Sequence, residues 1–447
     1  MQFLKTCGSL LLLSVALAAC GSNTWFGVDK PPITGERISI IEHKNDLLDS
    51  AVVQPGLKGE NKGSPIQLKP LLQNDTWLQA SGNARHVPGH VTLSEQPQKI
   101  WQCNIGSGAS EYAPITSGPV ASQGLVLCLD ADSTLSAVDL KTGALKWELS
   151  VRPEETHDDG IGGGIAIAGD RVYVATPYAE VLCVSIADGH ILWRQSLLSP
   201  ARVSPTVSEG RVYVLTITNE LEVFSAEDGR GLWDHAGLIE TAGLLGGASP
   251  AIDNGAAVVA YSSGEVFALK AENGQELWTE GNIGHFQLDS VSTFAHVRAR
   301  PVIEDGIAYI IHHNNKITAI DLRTGHPIWS KQVGGLHTPV VEGDYIFFIS
   351  TQNELLALNR HNGQLIWRTP MYHEAQEKEA NHHWSGPILA GGRLVVTGTN
   401  GDIRFYDAIT GKLTYTIPVG TGISVSPIVV NGTLIVLTND AELLAFK

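Results

Sequence analysis

One pattern recurs seven times between residues 98 and 447, and it constrains the fold more than any other feature. A Gly that follows Asp, Asn or Thr marks a hairpin turn, and an aromatic residue stands four positions later. The turn glycines are 38 to 51 residues apart, the length of a four-stranded β-propeller blade, which is roughly 40–50 residues. The aromatic residues are Trp147, Trp193, Trp233, Trp278, Trp329, Trp367 and Tyr415.

The number of repeat starts predicts how the ring closes. Eight units open with a small residue and Pro, as in Ser204–Pro205, or with an equivalent pair, but only seven end in the turn and aromatic residue. The last unit stops after its third strand, whereas residues 98–103 carry the pattern of a fourth strand with Trp101. Pairing the two ends removes exposed sheet edges. We therefore predict an all-β, eight-bladed propeller of four-stranded antiparallel blades, closed by an N-terminal strand on the last blade.

Two of the repeats match a known motif in full. Residues 137–147 and 319–329 both fit A-x-D-x-x-T-G-x-x-x-W, and the other repeats fit it in part. This pattern resembles the PQQ-type propeller repeat, and the resemblance covers residues of about 98–447. It implies that Trp101 and the seven later aromatic residues have a structural role, each one packing against the Gly turn of an adjacent blade.

Two families share this repeat, and the chain resembles one of them more. Quinoprotein dehydrogenases bind PQQ and a metal in the central channel, carry a vicinal Cys-Cys pair and have long insertions. The chain has no Cys-Cys pair and its blades are near minimal, so it is similar to the BamB family of outer-membrane assembly lipoproteins. That resemblance implies a scaffold with no catalytic residue, cofactor or metal.

Two alternatives remain open at the sequence level. The chain could be a periplasmic PQQ-dependent dehydrogenase-like enzyme that uses the channel, or a lipoprotein of the same fold in another envelope complex, because fold alone does not determine function. An enzyme would need charged ligands and an aromatic stack in the channel, and a scaffold would not.

The BamB resemblance also implies a partner and candidate contact residues. Members of that family bind the POTRA domains of the barrel subunit through loops around the middle blades. Leu244 matches the second Leu of the family's Leu-x-Leu-Arg pattern, Leu245 stands at its Arg, and His296 and Arg298 replace paired Asp residues. We predict that these four residues bind the partner, although ordinary burial at a blade entrance is the alternative for Leu244 and Leu245. We expect a monomer within a hetero-complex, whose blade edges could also pair with nascent outer-membrane proteins.

The N-terminus carries an export signal. Residues 1–19 combine Lys5, an apolar run too short for an ordinary membrane span and a small-residue cleavage site. Cys20 follows, as in the bacterial lipobox, which implies lipidation, membrane attachment and location on the periplasmic face of the outer membrane. Residues 20–97 lack periodicity and predict a mostly irregular tether. Within it, we expect Trp77 to dock on the propeller, with exposure to a partner as the alternative.

Charge and the remaining candidate ligands narrow the function. The net charge of −16 makes nucleic acid an unlikely partner, since phosphate backbones are repelled. Cys103, Cys128 and Cys183 can form at most one disulfide, and we interpret all three as structural. The loop at residues 371–384 holds His and Glu residues, but their spacing fits no zinc pattern, so we interpret it as an inter-blade insertion rather than a metal site.

Overall fold

The computed structural model describes residues 66–156, 160–239, 246–280, 297–313, 316–372 and 382–447. Over these ranges the chain forms eight four-stranded antiparallel sheets and no helix. The eight-bladed propeller predicted from the repeats is confirmed. The described residues form one compact unit. In the part of the chain that is described, no helix is long and apolar enough to cross a membrane.

Blades 1 to 4 follow one another along the sequence, each running from the innermost to the outermost strand. Their strands are Val120–Ser122 (β2), Leu125–Leu129 (β3), Thr134–Asp139 (β4) and Leu145–Ser150 (β5); Gly164–Ala168 (β6), Arg171–Thr176 (β7), Glu180–Ser185 (β8) and Ile191–Ser196 (β9); Thr206–Ser208 (β10), Arg211–Leu215 (β11), Glu220–Ser225 (β12) and Gly231–Ala236 (β13); Ala251–Asp253 (β14), Ala256–Ala260 (β15), Val266–Lys270 (β16) and Glu276–Glu280 (β17).

Blades 5 to 7 repeat this order, and blade 8 takes its outermost strand from the N-terminal side of the propeller. The strands are Val302–Glu304 (β18), Ile307–His312 (β19), Lys316–Asp321 (β20) and Pro327–Lys331 (β21); Val340–Glu342 (β22), Tyr345–Ile349 (β23), Glu354–Asn359 (β24) and Leu365–Pro370 (β25); Trp384–Ala390 (β26), Arg393–Gly398 (β27), Asp402–Asp407 (β28) and Leu413–Pro418 (β29); Ile428–Val430 (β30), Thr433–Leu437 (β31), Glu442–Phe446 (β32) and Lys99–Asn104 (β1).

Strand β1 closes the ring. It pairs antiparallel with β32, and Trp101 lies opposite Ala445 while Cys103 lies opposite Leu443. The edges at which β1 and β32 meet are therefore paired with each other and not exposed to solvent. The closure predicted from the truncated eighth repeat is confirmed.

The core lies between blades rather than inside any one of them. The second and third strands of each blade are buried on both faces, as in β7 and β8, because a neighbouring blade covers each face. One cluster, for example, packs Leu127 and Leu135 of blade 1 against Ile165 and Val172 of blade 2. Outermost strands alternate between exposed and half-buried residues, as in β5, which agrees with their position at the rim.

The three cysteines that remain after Cys20 are free thiols. Cys128 and Cys183 are buried inside blades 1 and 2, whereas Cys103 is half-buried on β1. Burial raises the pKa of the Cys183 thiol to about 11 and raises that of Cys128 as well. Both thiols therefore stay protonated and act as small core side chains.

Candidate functional site

The aromatic residue of each repeat lies against the next blade. An ideal Cβ built on Gly325 of blade 5 would lie 2.6 Å from Cγ of Trp278 in blade 4, so only glycine fits beneath the indole. The same contact recurs at the other turns of this kind. The pairs are Trp101–Gly143, Trp147–Gly189, Trp193–Gly229, Trp233–Gly274, Trp329–Gly363 and Trp367–Gly411.

Most of these indoles also donate a hydrogen bond to a backbone carbonyl of the next blade. Each bond ties an outermost strand to the end of the neighbouring third strand, which supports the docking role that we predict. The bonds from Nε1 are Trp101 to Leu140 at 3.0 Å, Trp147 to Ile186 at 3.0 Å, Trp193 to Ala226 at 3.4 Å, Trp278 to Leu322 at 2.7 Å, Trp329 to Arg360 at 2.7 Å and Trp367 to Ala408 at 3.2 Å.

Trp233 and Tyr415 differ from this pattern. The Ala271 carbonyl, which occupies the acceptor position for Trp233, receives a hydrogen bond from the Tyr213 hydroxyl at 3.0 Å, and Trp233 Nε1 has no hydrogen-bond partner among the described residues. Tyr415 of blade 7 faces blade 8, whose third strand ends near the chain terminus and has no glycine turn. Its ring lies 5.7 Å from that of Phe405 in its own blade.

The described part of the predicted tether covers one end of the channel. Residues 66–92, which we call the cap, form only isolated bridges and contain no regular strand. Trp77 pairs with Ala121 of blade 1 through two backbone hydrogen bonds of 2.7 Å, and its side chain is 3% exposed. The docking expected for Trp77 is confirmed.

The cap contacts every blade of the ring. Its hydrogen bonds use mainly backbone groups on the free inner edges of the first strands, so they leave few of these edges open. Beyond Trp77, the contacts are Leu78 with Ile167 in blade 2, Gln79 with Val207 in blade 3, Ala84 with Ile252 in blade 4, Arg85 with Ile303 in blade 5, Gln67 with Tyr345 in blade 6, Val91 with Leu389 in blade 7 and Asn74 with Asn431 in blade 8.

A cavity of about 270 Å³ lies behind the cap in the central channel. The cap contributes Trp77 and His86 to its wall, and the segments that open the blades contribute Arg202, Arg298 and Arg300. Arg202 and Arg298 occupy equivalent positions of their repeats, three residues before the Pro that opens the blade. Arg300 occupies the position directly before that Pro, where the other units have Gly, Ser or Thr.

The cavity concentrates positive charge. Within the described part of the chain, no Asp or Glu lines it. Burial, together with the charge of Arg298, lowers the pKa of Arg300 to about 10. Burial and the charges of Arg298, Arg300 and His383 lower the pKa of His337 to about 3, so that this histidine is neutral at pH 7.

A second surface lies at the end of the propeller opposite the cap. In a blade of four antiparallel strands, the first strand begins and the fourth strand ends at the same end of the blade. The connections from one blade to the next therefore all lie at that end. Leu198 and Ile239 are 72% and 76% exposed there, and Ile217 and Leu238 are exposed as well. Their segments are hydrogen-bonded to one another, since Ile217 N donates to Pro200 O and Asn219 Nδ2 donates to Leu238 O. We call Leu198, Ile217, Leu238 and Ile239 the apolar surface.

Of the four predicted partner-binding residues, Arg298 alone lies within the described ranges. Leu244, Leu245 and His296 lie outside the described residues, as do Cys20 and the signal peptide. The sequence from Ile239 continues directly to Leu244. Arg298 is half-buried and lines the central cavity, and its role in partner binding stays a prediction. The apolar surface was not predicted from the sequence, although aliphatic residues in the connections between strands were a usable signal.

The other candidate ligands do not assemble into a metal site in the part of the chain that is described. No group of three or more His, Cys, Asp or Glu side chains there could hold a metal. Most of the loop at residues 371–384 lies outside the described ranges.

Comparison with known proteins identifies the family. A family model described as "Outer membrane protein assembly factor BamB" matches residues 131–369 and 359–447, which is more than half of the chain. The chain belongs to this family. A curated BamB of Yersinia pestis is 25% identical over 356 residues, which are 78% of this chain and 88% of that protein.

Solved structures agree on the fold and do not separate the functions. BamB from Moraxella catarrhalis superposes with a TM-score of 0.67 at 15% identity, covering 79% of this chain and all of that one. A europium-containing methanol dehydrogenase superposes almost as well, with a TM-score of 0.65 at 13% identity over 81% of this chain and 89% of its own. The propeller is common to assembly factors and dehydrogenases, so it is the BamB family match that distinguishes them.

Proposed function

We propose that the chain is a non-enzymatic scaffold lipoprotein of the outer-membrane β-barrel assembly machinery. The observation that carries this proposal is the BamB family match over residues 131–447, together with curated relatives that are named outer membrane protein assembly factors. In this proposal Cys20 carries the lipid that attaches the protein to the periplasmic face of the outer membrane. Residues 21–65 then lead from the lipid to the cap.

The partner we propose is the periplasmic POTRA region of the barrel subunit. The apolar surface supports this choice, because clustered exposed aliphatic side chains on a soluble domain are typical of protein interfaces. It spans the connections on either side of blade 3 and leads along the chain to Leu244 and Leu245. Two independent features, the resemblance of residues 242–245 to a contact loop and the exposure of Leu238 and Ile239, thus favour neighbouring stretches of the sequence as the contact.

The alternative enzyme would need a different channel. A PQQ-dependent dehydrogenase holds a metal in the channel, and a hard cation requires oxygen ligands such as carboxylates. The described residues that line this cavity include arginines and histidines but no Asp or Glu. They do not fit such a metal. Trp77 is the one aromatic ring other than histidine among these lining residues, so an aromatic stack on two sides of a cofactor is missing there as well.

A pull-down from detergent-solubilised envelopes tests the scaffold proposal. The tagged full-length lipoprotein is expected to recover the barrel subunit, identified by mass spectrometry. The double variants Leu238→Asp/Ile239→Asp and Leu244→Asp/Leu245→Asp should each lower recovery at least about tenfold, because interface hot spots contribute roughly 2 kcal/mol or more. Leu413→Asp is the matched control, since Leu413 is exposed on the outer strand of blade 7. Unchanged recovery with both double variants would reject this surface, and PQQ-dependent dye reduction would favour the enzyme.

A further inference from the structure

Two arginines of the central cavity, Arg298 and Arg300, have no acidic partner in the part of the chain that the structure describes. Arg298 and Arg300 make no ion pair with any described residue. The contacts of Arg300 are two long hydrogen bonds, from Nε to Ser249 Oγ and from Nη1 to Thr338 Oγ1, both at 3.5 Å. Guanidinium groups inside proteins normally meet carboxylates or phosphates.

His86 supplies a second, independent observation. Its side chain is 1% exposed and forms part of the cavity wall. Nδ1 lies 2.7 Å from the carbonyl oxygen of Pro301, which fixes the proton on Nδ1 in the neutral ring. Nε2 is buried and has no hydrogen-bond partner among the described residues. In this tautomer Nε2 is an acceptor and needs a donor, which the hydroxyl group of a protonated oxyanion such as monohydrogen phosphate, or a water bound beside an anion, can supply.

We propose that the central cavity is a binding site for a small oxyanion, a carboxylate or a phosphate, held by Arg298, Arg300 and His337. The two guanidinium groups supply charge and paired N–H donors that suit either oxyanion. Thr338 and Ser249 supply hydroxyl groups close to Arg300. This site is separate from the apolar surface, and the proposal does not depend on the proposed scaffold function.

Electrostatics explains why an anion and not a cation is expected. The protein carries a net charge of −16, yet the groups that act on His337 are Arg298, Arg300 and His383, none of which is acidic. Burial is the main cause of the lowered pKa of His337 and His86, and neighbouring positive charges, that of Arg300 alone in the case of His86, lower it further, so both rings are neutral. A bound anion reverses this effect, and it favours protonation of His337 in the complex. Anion binding should therefore be coupled to proton uptake.

Cavity size and position limit the ligand to a small molecule. A volume of about 270 Å³ lies just below the range of roughly 300–1,000 Å³ found for small-molecule sites. The cap closes one end through contacts to all eight blades, so a ligand enters from the opposite end. An extended protein segment cannot pass through.

Isothermal titration calorimetry on the full-length protein in non-ionic detergent tests the site. Inorganic phosphate and citrate are the two probes, in low-chloride buffer, and they separate a phosphate site from a carboxylate site. At least one should bind saturably with a Kd below about 1 mM, which corresponds to about −4.1 kcal/mol. Arg298→Gln and Arg300→Gln should each weaken binding about tenfold or more, and Arg230→Gln, an exposed arginine on blade 3, should leave it unchanged.

Two further measurements separate a specific site from general charge effects or misfolding. Arg300→Lys keeps the charge and should retain part of the affinity, so that a folding defect of the Gln variant does not decide the result. Sulfate, which stays divalent across this range, should bind more tightly at pH 5 than at pH 7, and His337→Gln should abolish that difference. Absence of saturable binding by every probe, or equal binding by wild-type protein and both Gln variants, would overturn the proposal.

Discussion

Replacing one docking glycine measures how much the indole contact contributes to blade packing. Gly325 and Gly306 both belong to blade 5 and have φ values of +73° and +74°. An ideal Cβ on Gly325 would lie 2.6 Å, 2.7 Å and 2.9 Å from Cγ, Cβ and Cδ2 of Trp278, whereas nothing lies within 4 Å of the Cβ on Gly306. The two positions share the backbone strain and differ in the contact with the neighbouring blade.

The expected free energies of unfolding follow from this difference. An Ala residue in the left-handed region costs about 1–2 kcal/mol, and this is the whole loss expected for Gly306→Ala. Gly325→Ala must also displace the Trp278 ring, and overpacking of this kind costs a further ~1–3 kcal/mol. Urea unfolding of the full-length protein, followed by far-UV circular dichroism, measures both losses.

A double-mutant cycle attributes the extra loss to the indole. In a Trp278→Gly background both the ring and its Cβ, which lies 2.7 Å from the new Cβ, are absent, so Gly325→Ala should cost no more than Gly306→Ala does. Equal losses for the two single Gly variants, or an excess that persists without the indole, would refute the argument that these aromatic residues dock blades through the glycine turns.

Three further predictions concern the cap, the cavity and the thiols. Trp77→Ala should lower the free energy of unfolding by about 3–5 kcal/mol, because the ring is 3% exposed in the main apolar cluster; a loss below 1 kcal/mol in urea unfolding would show that the cap contributes little. The pKa values of His86 and His337 are lowered from 6.5 to about 3 in the folded protein, so between these pH values the unfolded chain binds more protons. The free energy of unfolding should therefore be highest above pH 6.5 and fall toward pH 3, by at most about 1.4 kcal/mol per pH unit for each histidine. A His86→Gln/His337→Gln variant should lose less between pH 7 and pH 5. Iodoacetamide should label Cys103 in the folded protein before it labels Cys128, whose thiol is buried; mass spectrometry of the labelled peptides checks this order.

The sequence predicted the propeller well because each repeat contains the residues that form its turn and its contact with the neighbouring blade. The Gly–x–x–x–Trp spacing encodes a tight turn, which is a short-range feature, and an indole that docks on the equivalent turn of the next blade, so the repeat itself carries the contact between blades. Closure followed from counting, since the final repeat lacks a fourth strand and Trp101 belongs to a strand with no preceding blade. The structure confirms that pairing through Trp101 and Ala445.

The cap and the cavity were harder to predict, for reasons that lie in their contacts. The cap binds mainly through backbone groups, as between Ile167 N and Leu78 O, and such bonds leave no side-chain pattern in the sequence. The cavity arises from residues far apart in sequence, such as His86 and His337, that only the closed ring brings together. One signal was present, because Arg300 stands where the other repeats have a small residue.

We propose that this protein assists the assembly of outer-membrane proteins by binding a partner through the apolar surface. The most direct test measures the amount of folded β-barrel protein in outer membranes of cells that lack the chromosomal copy and carry wild-type or variant plasmid copies. We predict that the wild-type chain and Leu413→Asp restore the folded barrels, whereas Leu238→Asp/Ile239→Asp does not, at equal levels of lipoprotein. Normal barrel levels in cells without the protein, or full rescue by the double variant, would contradict the account.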